Sequence, residues 1–207
     1  EYLFCFPHNP LIDAVAKVGI RPILGRTERT IINMADGYSR VSRGEKIGVV
    51  AVQYGPGAEN AFGGIAQAFA DSVPMIVLTG GYAAHRNGIT PLFDATEHYR
   101  GITKWTAQIT QVHTTVDRMR RAFALARNGQ GGPILLQLPM DVGDQEFGDD
   151  IGSYSPPRIH RSMADPRDVN EAADAILAAD SPVIHAGMGI LWANASAELV
   201  EFAESTN

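Results

Sequence analysis

Two stretches of the chain carry residue types whose spacing points to chemistry. The first is Arg26-Thr27-Glu28-Arg29-Thr30-Ile31-Ile32-Asn33-Met34-Ala35-Asp36-Gly37-Tyr38-Ser39-Arg40, where a carboxylate, Glu28, precedes apolar positions at helical spacing: Ile31, Met34, Ala35, Tyr38 and Val41. Thr27 stands where an N-cap belongs, and an acidic side chain in a first turn is held by unpaired backbone N–H groups and the helix dipole. Glu28 is therefore a carboxylate at a fixed place, although capping alone accounts for an acidic first turn in many ordinary helices. The second stretch, Gly55-Pro56-Gly57-Ala58-Glu59-Asn60, follows an apolar run and opens a helix. There the backbone can approach an anion or a ring. It reads G-x-G-x-x-N, lacks the Lys-Ser or Lys-Thr of a P-loop, and taken alone is equally a plain tight turn.

Other chemistries find less support. The histidines His8, His85, His98, His113, His160 and His185 show no pairing at i, i+3 or i+4, so no helical metal site is expected. His85 and His98 fall in an irregular stretch where they can reach a ligand or simply be solvated. Cys5 is the single cysteine; it excludes an internal disulfide and reads as a buried, inert thiol in Tyr2-Leu3-Phe4-Cys5-Phe6. No Gly-x-Ser-x-Gly elbow is present. The net charge of -6 argues against a nucleic-acid surface, and the one tight basic group, Arg118, Arg120 and Arg121, reads as the solvated face of a helix. No run approaches a membrane span and no signal peptide is visible, so a cytoplasmic protein is expected.

The elements that must position these residues alternate. Apolar runs at 2–6, 21–24, 47–52, 74–78 and 134–138 read as strands, and 105–112 as another. Between them lie helical patterns, including 116–127 and a helix after Gly57 with Phe62, Ile65, Ala66 and Phe69 on one face and Ala61, Gly64 and Ala68 on a small second face. Residues 82–98 have no clean period and read as a long loop, a length that is often functional. The alternation predicts an α/β fold, a parallel sheet with helices on both faces. Three loops leaving strand ends, at 26–29, 53–60 and from Gly80, are where ligands of such a sheet bind. With 45% hydrophobic residues and 207 in all, the chain holds one sizeable core and the beginning of a second. The expected division is a domain at 1–147, a Gly/Ser/Pro-containing linker at 148–164, and the truncated start of a second α/β domain at 165–207 with a helix through Val169, Ala172, Ala173, Ile176 and Leu177 and a strand at 183–186. The chain reads as a fragment of a longer protein.

In combination these motifs are more specific than any one of them. Glu28, then Met34-Ala35-Asp36-Gly37-Tyr38-Ser39-Arg40, Gly55-Pro56-Gly57-Ala58-Glu59-Asn60, Gly64-Ile65-Ala66-Gln67-Ala68 and Asp71-Ser72-Val73-Pro74 resemble, in order and spacing, the pyrimidine-binding domain of thiamine-diphosphate enzymes. The branch they resemble is the acetolactate synthase, pyruvate oxidase and benzoylformate decarboxylase group. Gly131-Gly132-Pro133 to Leu138-Pro139-Met140-Asp141-Val142 looks like that domain's last strand, and the segment from Asp165 like the opening of the family's middle domain.

The resemblance implies a catalytic role for Glu28, hydrogen-bonded to the cofactor's pyrimidine so that the ring's amine can act as an internal base toward the thiazolium proton. It implies that Gly55, Pro56, Gly57 and Asn60 lie against the pyrimidine, while the diphosphate and magnesium are held mainly by a domain absent from this chain. The implied activity is decarboxylation and carboligation of 2-oxo acids, acetolactate synthase-like, with a 2-oxo acid decarboxylase or C–C lyase of the same family as alternative. Departures from the family pattern mark His8, Gln53, Phe93 and Asp94 as residues facing a different substrate: Pro7-His8 replaces Pro-Gly, Gln53-Tyr54 replaces Thr-Ser, and Leu92-Phe93-Asp94-Ala95-Thr96-Glu97 replaces Phe-Gln-Glu. A homodimer or homotetramer with the active site at the subunit interface is implied, without nucleic-acid or membrane partners. FAD is left open, with nothing in the sequence to support it. Two competing classes remain: a nucleotide-dependent oxidoreductase using the G-x-G turns, which lacks the acidic ribose contact after the next strand, and a relic that keeps the fold and binds nothing.

Overall fold

Apolar runs too short for helices and bounded by Gly and Pro pair side by side in the computed structural model, which describes residues 1–86, 88–148 and 154–206. The strands are β1 (Tyr2–Phe6), β2 (Arg21–Leu24), β3 (Gly48–Val52), β4 (Met75–Gly81), β5 (Trp105–Gln108) and β6 (Pro133–Pro139). They form one six-stranded sheet in the order β2-β1-β3-β4-β6-β5, every pair parallel. In β3, β4 and β6 the register sets Val50 beside Val77 and Val77 beside Leu135, all buried.

Helices α1 (Asn9–Lys17), α2 (Glu28–Val41), α3 (Pro56–Ala70), α4 (Ala95–His98), α5 (Thr115–Arg127) and α6 (Met140–Gly143) connect them. One face of the sheet packs Ile76, Ile134 and Leu136 on α5, and Leu3, Cys5 and Ala51 on α1. On the other face Phe4 meets Tyr38 of α2 edge-on, ring centroids 5.8 Å apart. The expected parallel sheet with helices on both faces is thus the fold observed. α3 lies close on α2 because Gly64 has no side chain: a Cβ there would come within 2.7 Å of Ile32 Cγ2.

Several expectations are corrected. The buried face of α2 comprises Glu28, Ile31, Ile32, Ala35, Asp36 and Ser39, whereas Met34 faces outward and Val41 is 88% exposed. Burial of Asp36 and Ser39 is possible because each is paired. Arg40 bonds Asp36 and reaches Asp71 at 2.7 Å, while Ser39 donates to the Pro74 carbonyl (2.7 Å) and accepts from the Gly48 amide (2.8 Å). On α3 the small face is the buried one, and Phe62 and Phe69 remain half exposed. Residues 82–98 are not a featureless loop: they contain a 3₁₀ turn at Ala84–Arg86 and α4, capped by Asp94. The strand expected over 105–112 stops at Gln108 and gives way to a 3₁₀ turn at Val112–Thr114. Arg121 of the basic group is exposed, as a solvated face requires, with its guanidinium over the Trp105 ring 4.6 Å from the centroid.

Contacts divide the chain into Glu1–Ile159 and His160–Asn207. Within the expected linker 148–164, residues 149–153 lie outside the described residues, as does Asn207 at the chain's end. The second unit holds α7 (Pro166–Leu177), α8 (Gly189–Ala193) and α9 (Ser196–Thr206). The strand expected at 183–186 is not formed, and Val183 is 90% exposed. A strand exists only by pairing, and no other strand is present among the described residues of this unit.

Candidate active site

Glu28 is positioned by local chemistry. Thr27 is extended and its hydroxyl accepts the Thr30 amide at 3.2 Å, starting α2 at Glu28, while the Ile31 amide bonds the Thr27 carbonyl. The Glu28 residue is only 8% exposed, yet its carboxylate has no hydrogen bond or ion pair among the described residues and is not sealed from solvent. A carboxylate so placed is open to a donor from outside the chain.

Across from it stands the first turn of α3. Gly55 adopts φ 59°, ψ −116°, a left-handed conformation suited to glycine, and Pro56 follows at the first helical position with its ring matched to the helix φ. A Cβ at Gly57 would lie 3.6 Å from Glu28 Oε1 and 3.0 Å from Gln53 Cβ. The absent side chain therefore leaves a narrow slot between the carboxylate and the turn. Gly55, Gly57 and Glu28 are brought together, and Gln53 borders the slot with its side chain exposed. Pro56 and Asn60 are exposed, and Asn60 makes no side-chain hydrogen bond among the described residues.

His8 stands at the end of β1, where its carbonyl accepts the Ile12 amide as α1 begins. Its Nε2 lies against Gly80, 3.2 Å from where a Cβ would be, and Nδ1 is buried without a partner. Burial pushes the imidazole below its ordinary range, so it is neutral at neutral pH. Beside it the Tyr54 and Tyr82 rings pack 4.8 Å apart. The Tyr82 hydroxyl reaches over Gly55, within 2.8 Å of the position a Cβ would take.

Phe93 and Asp94 lie apart from the slot, lining a cleft with Tyr82 and Gln137. Phe93 stacks on His98 at 4.6 Å. Asp94 Oδ1 accepts from the Thr96 amide (2.8 Å), the Glu97 amide (3.3 Å) and the Thr96 hydroxyl (2.7 Å), which makes it the cap of α4.

Sequence reasoning missed three supports of the site. Tyr99, fully buried, donates its hydroxyl to the Ala58 carbonyl in the first turns of α3, and burial raises its pKa. Asp141 Oδ2 accepts the Ala84 amide at 3.0 Å, tying the segment after β4 to α6. Tyr82 spans the slot and the cleft. These links join residues dozens of positions apart, and no local spacing signals them. Among the described residues no three His, Cys, Asp or Glu side chains gather as a metal site.

Residues 1–112 match the family model described as thiamine pyrophosphate enzyme, N-terminal TPP binding domain. The acetolactate synthase large subunit of Buchnera aphidicola is 36% identical over 225 residues, which cover 100% of this chain and 38% of that protein. The probable acetolactate synthase large subunit of Methanocaldococcus jannaschii is 36% identical over 216 residues, covering 99% of this chain and 36% of that protein. The glyoxylate carboligase of Escherichia coli is 32% identical over 203 residues, covering 96% and 34%. The chain thus spans a little over a third of the length of these relatives. A buried carboxylate facing a glycine slot at the carboxyl edge of a parallel sheet, together with the match over residues 1–112, shows that this chain belongs to the thiamine pyrophosphate enzyme family.

Proposed function

We propose that this chain is the pyrimidine-binding portion of a thiamine-diphosphate- and magnesium-dependent enzyme that decarboxylates 2-oxo acids and carboligates the product, acetolactate synthase-like. A decarboxylase or C–C lyase acting on 2-oxo acids is the alternative within the family; the family assignment displaces the nucleotide-dependent oxidoreductase. The observation that carries this reading is the Glu28 carboxylate, largely buried, without a partner among the described residues, and beside the first turn of α3 at Gly57.

When bound, thiamine diphosphate supplies a thiazolium carbon that adds to the 2-oxo carbonyl and takes up the electrons released as carbon dioxide leaves. Everything else here belongs to the chain's own residues. Glu28 would accept a hydrogen bond from a protonated ring nitrogen, an interaction strengthened by its low-dielectric surroundings. Gly55, Pro56 and Gly57 would orient the ring through backbone contact, and Asn60 would border it. Tyr82 stands over Gly55, and His8, Gln53, Phe93 and Asp94 are assigned to the substrate side. Magnesium and the diphosphate would be held mainly outside this chain.

The proposed organisation is a pyrimidine-binding domain at 1–147, a linker at 148–164 and the start of a middle domain at 165–207; the division of contacts after Ile159 supports it. We assign the whole protein to the cytoplasm as a homodimer or homotetramer with the active site at the subunit interface. No helix among the described residues is long and apolar enough to cross a membrane. Calorimetric titration of the full-length protein tests the cofactor assignment: saturable binding of thiamine diphosphate with magnesium is expected, and binding of NAD in its place would overturn it.

A further inference from the structure

The cleft beyond the carboxyl ends of β4, β6 and β5 contains groups that the reading above does not use. Arg86, Gln108 and Gln137 line it together with Tyr82, Phe93 and Asp94. Arg86 lies over the Tyr82 ring, its guanidinium carbon 5.6 Å from the centroid, and forms no ion pair among the described residues. A guanidinium held over an aromatic ring keeps N–H donors for a planar anion. Its place is fixed by the turn that carries it: the Arg86 amide bonds the Ala83 carbonyl at 2.8 Å, and Asp141 anchors Ala84. Gln137 is only 4% exposed, with Cγ against Gly81, and its carboxamide makes no hydrogen bond among the described residues. Asp94, the one carboxylate among the described residues that line the cleft, has Oδ1 turned to the first turn of α4. A cation and an unused amide lining one cleft match a carboxylate.

Tyr82 relates the cleft to the slot. Its hydroxyl end covers Gly55 while its ring carries Arg86, so the guanidinium stands about one aromatic ring away from the turn that faces Glu28. The carboxylate of a 2-oxo acid that leaves as carbon dioxide must adjoin the reacting carbonyl. A carboxylate at Arg86 must therefore be another one, several bonds further along the substrate. Resting on the 2-oxo acid reading above, we propose that Arg86 and Gln137 form a subsite that selects a 2-oxo acid bearing a second, distal carboxylate.

The test compares 2-oxoglutarate with 2-oxopentanoate, equal in chain length and differing in the distal carboxylate, on the full-length enzyme with thiamine diphosphate and magnesium. The wild type is expected to favour 2-oxoglutarate in kcat/KM by about tenfold to a hundredfold, the range of a charge-assisted hydrogen-bond pair. Arg86→Leu should collapse that ratio, mainly through KM, and Arg86→Lys should restore it in part, since an ammonium lacks the planar fork. A wild type without preference, or a variant that weakens both substrates alike, overturns the subsite. Glutarate and pentanoate, which cannot react, are titrated in parallel. Selective glutarate binding lost in Arg86→Leu upholds the subsite even if no 2-oxo acid is turned over, a result that counts against the reaction instead. Glutarate bound equally by wild type and variant, or by neither, overturns the subsite whatever the turnover.

Discussion

The two halves of the sheet's carboxyl edge are built by different means. Beyond β2 and β3, Glu28, Gly55 and Gly57 are placed by a capped helix start and a tight strand-to-helix turn, each complete within a few residues. Beyond β4, β6 and β5, the cleft sets Gln108 and Gln137 of the strands against side chains from an irregular segment, held by ties such as Ala84 to Asp141 and Thr106 to the Thr96 carbonyl (2.9 Å). The first half positions backbone and one carboxylate and leaves little freedom to vary. The second half positions side chains on a tethered loop, the kind of surface on which specificity can change without rebuilding the fold. In the proposed reading the first half holds the cofactor, with His8 and Gln53 at its border toward the substrate, and the second half faces the substrate.

Substitutions can break this comparison. The largest effect is expected for Glu28→Gln in the full-length protein: a loss of roughly 10²- to 10⁴-fold in kcat, the range for a positioned proton-handling group, with the thermal melting point little changed. Gly55→Ala comes next. It forces a side chain into φ 59° and toward the Tyr82 hydroxyl, and should lower stability by about 1–2 kcal/mol in urea unfolding while weakening cofactor binding.

On the other half, Asp94→Ala should cost about 1 kcal/mol of stability through loss of the α4 cap. Cofactor affinity measured by calorimetry should stay the same; a large loss there would erase the distinction between the halves. The smallest effect concerns His8. Burial lowers its folded pKa, so the unfolded chain binds more protons in the interval between the two values. Its contribution to stability is full above the unfolded value of about 6.5 and is lost as the pH falls below that toward the folded value. His8→Phe should flatten urea-unfolding midpoints over that window.

What could be read from sequence follows the same division. Glu28 was legible because Thr27 and Thr30 fix a helix start within one turn, and Gly55 because a left-handed turn before a helix demands glycine. The parallel sheet was legible from its apolar runs. The burial of Asp36 and Ser39 in place of Met34 was not, since it depends on partners on β3, before β4 and at Asp71. The Tyr99 bond to Ala58, spanning 41 residues, left no local trace. At 183–186 the apolar run has strand character but no partner to pair with, and in α7 the helical spacing is present while Leu177 stays 80% exposed. Periodicity records what an element can bury, and a neighbour decides whether it does.

The central claim is that Glu28 activates the cofactor across the Gly57 slot. Hydrogen–deuterium exchange of the thiazolium proton of bound thiamine diphosphate, followed by NMR in the full-length wild type and its Glu28→Gln variant at saturating cofactor and magnesium, tests it most directly. Exchange slowed by about 10²-fold or more in the variant is the expected result. Equal exchange rates in the two proteins would contradict it.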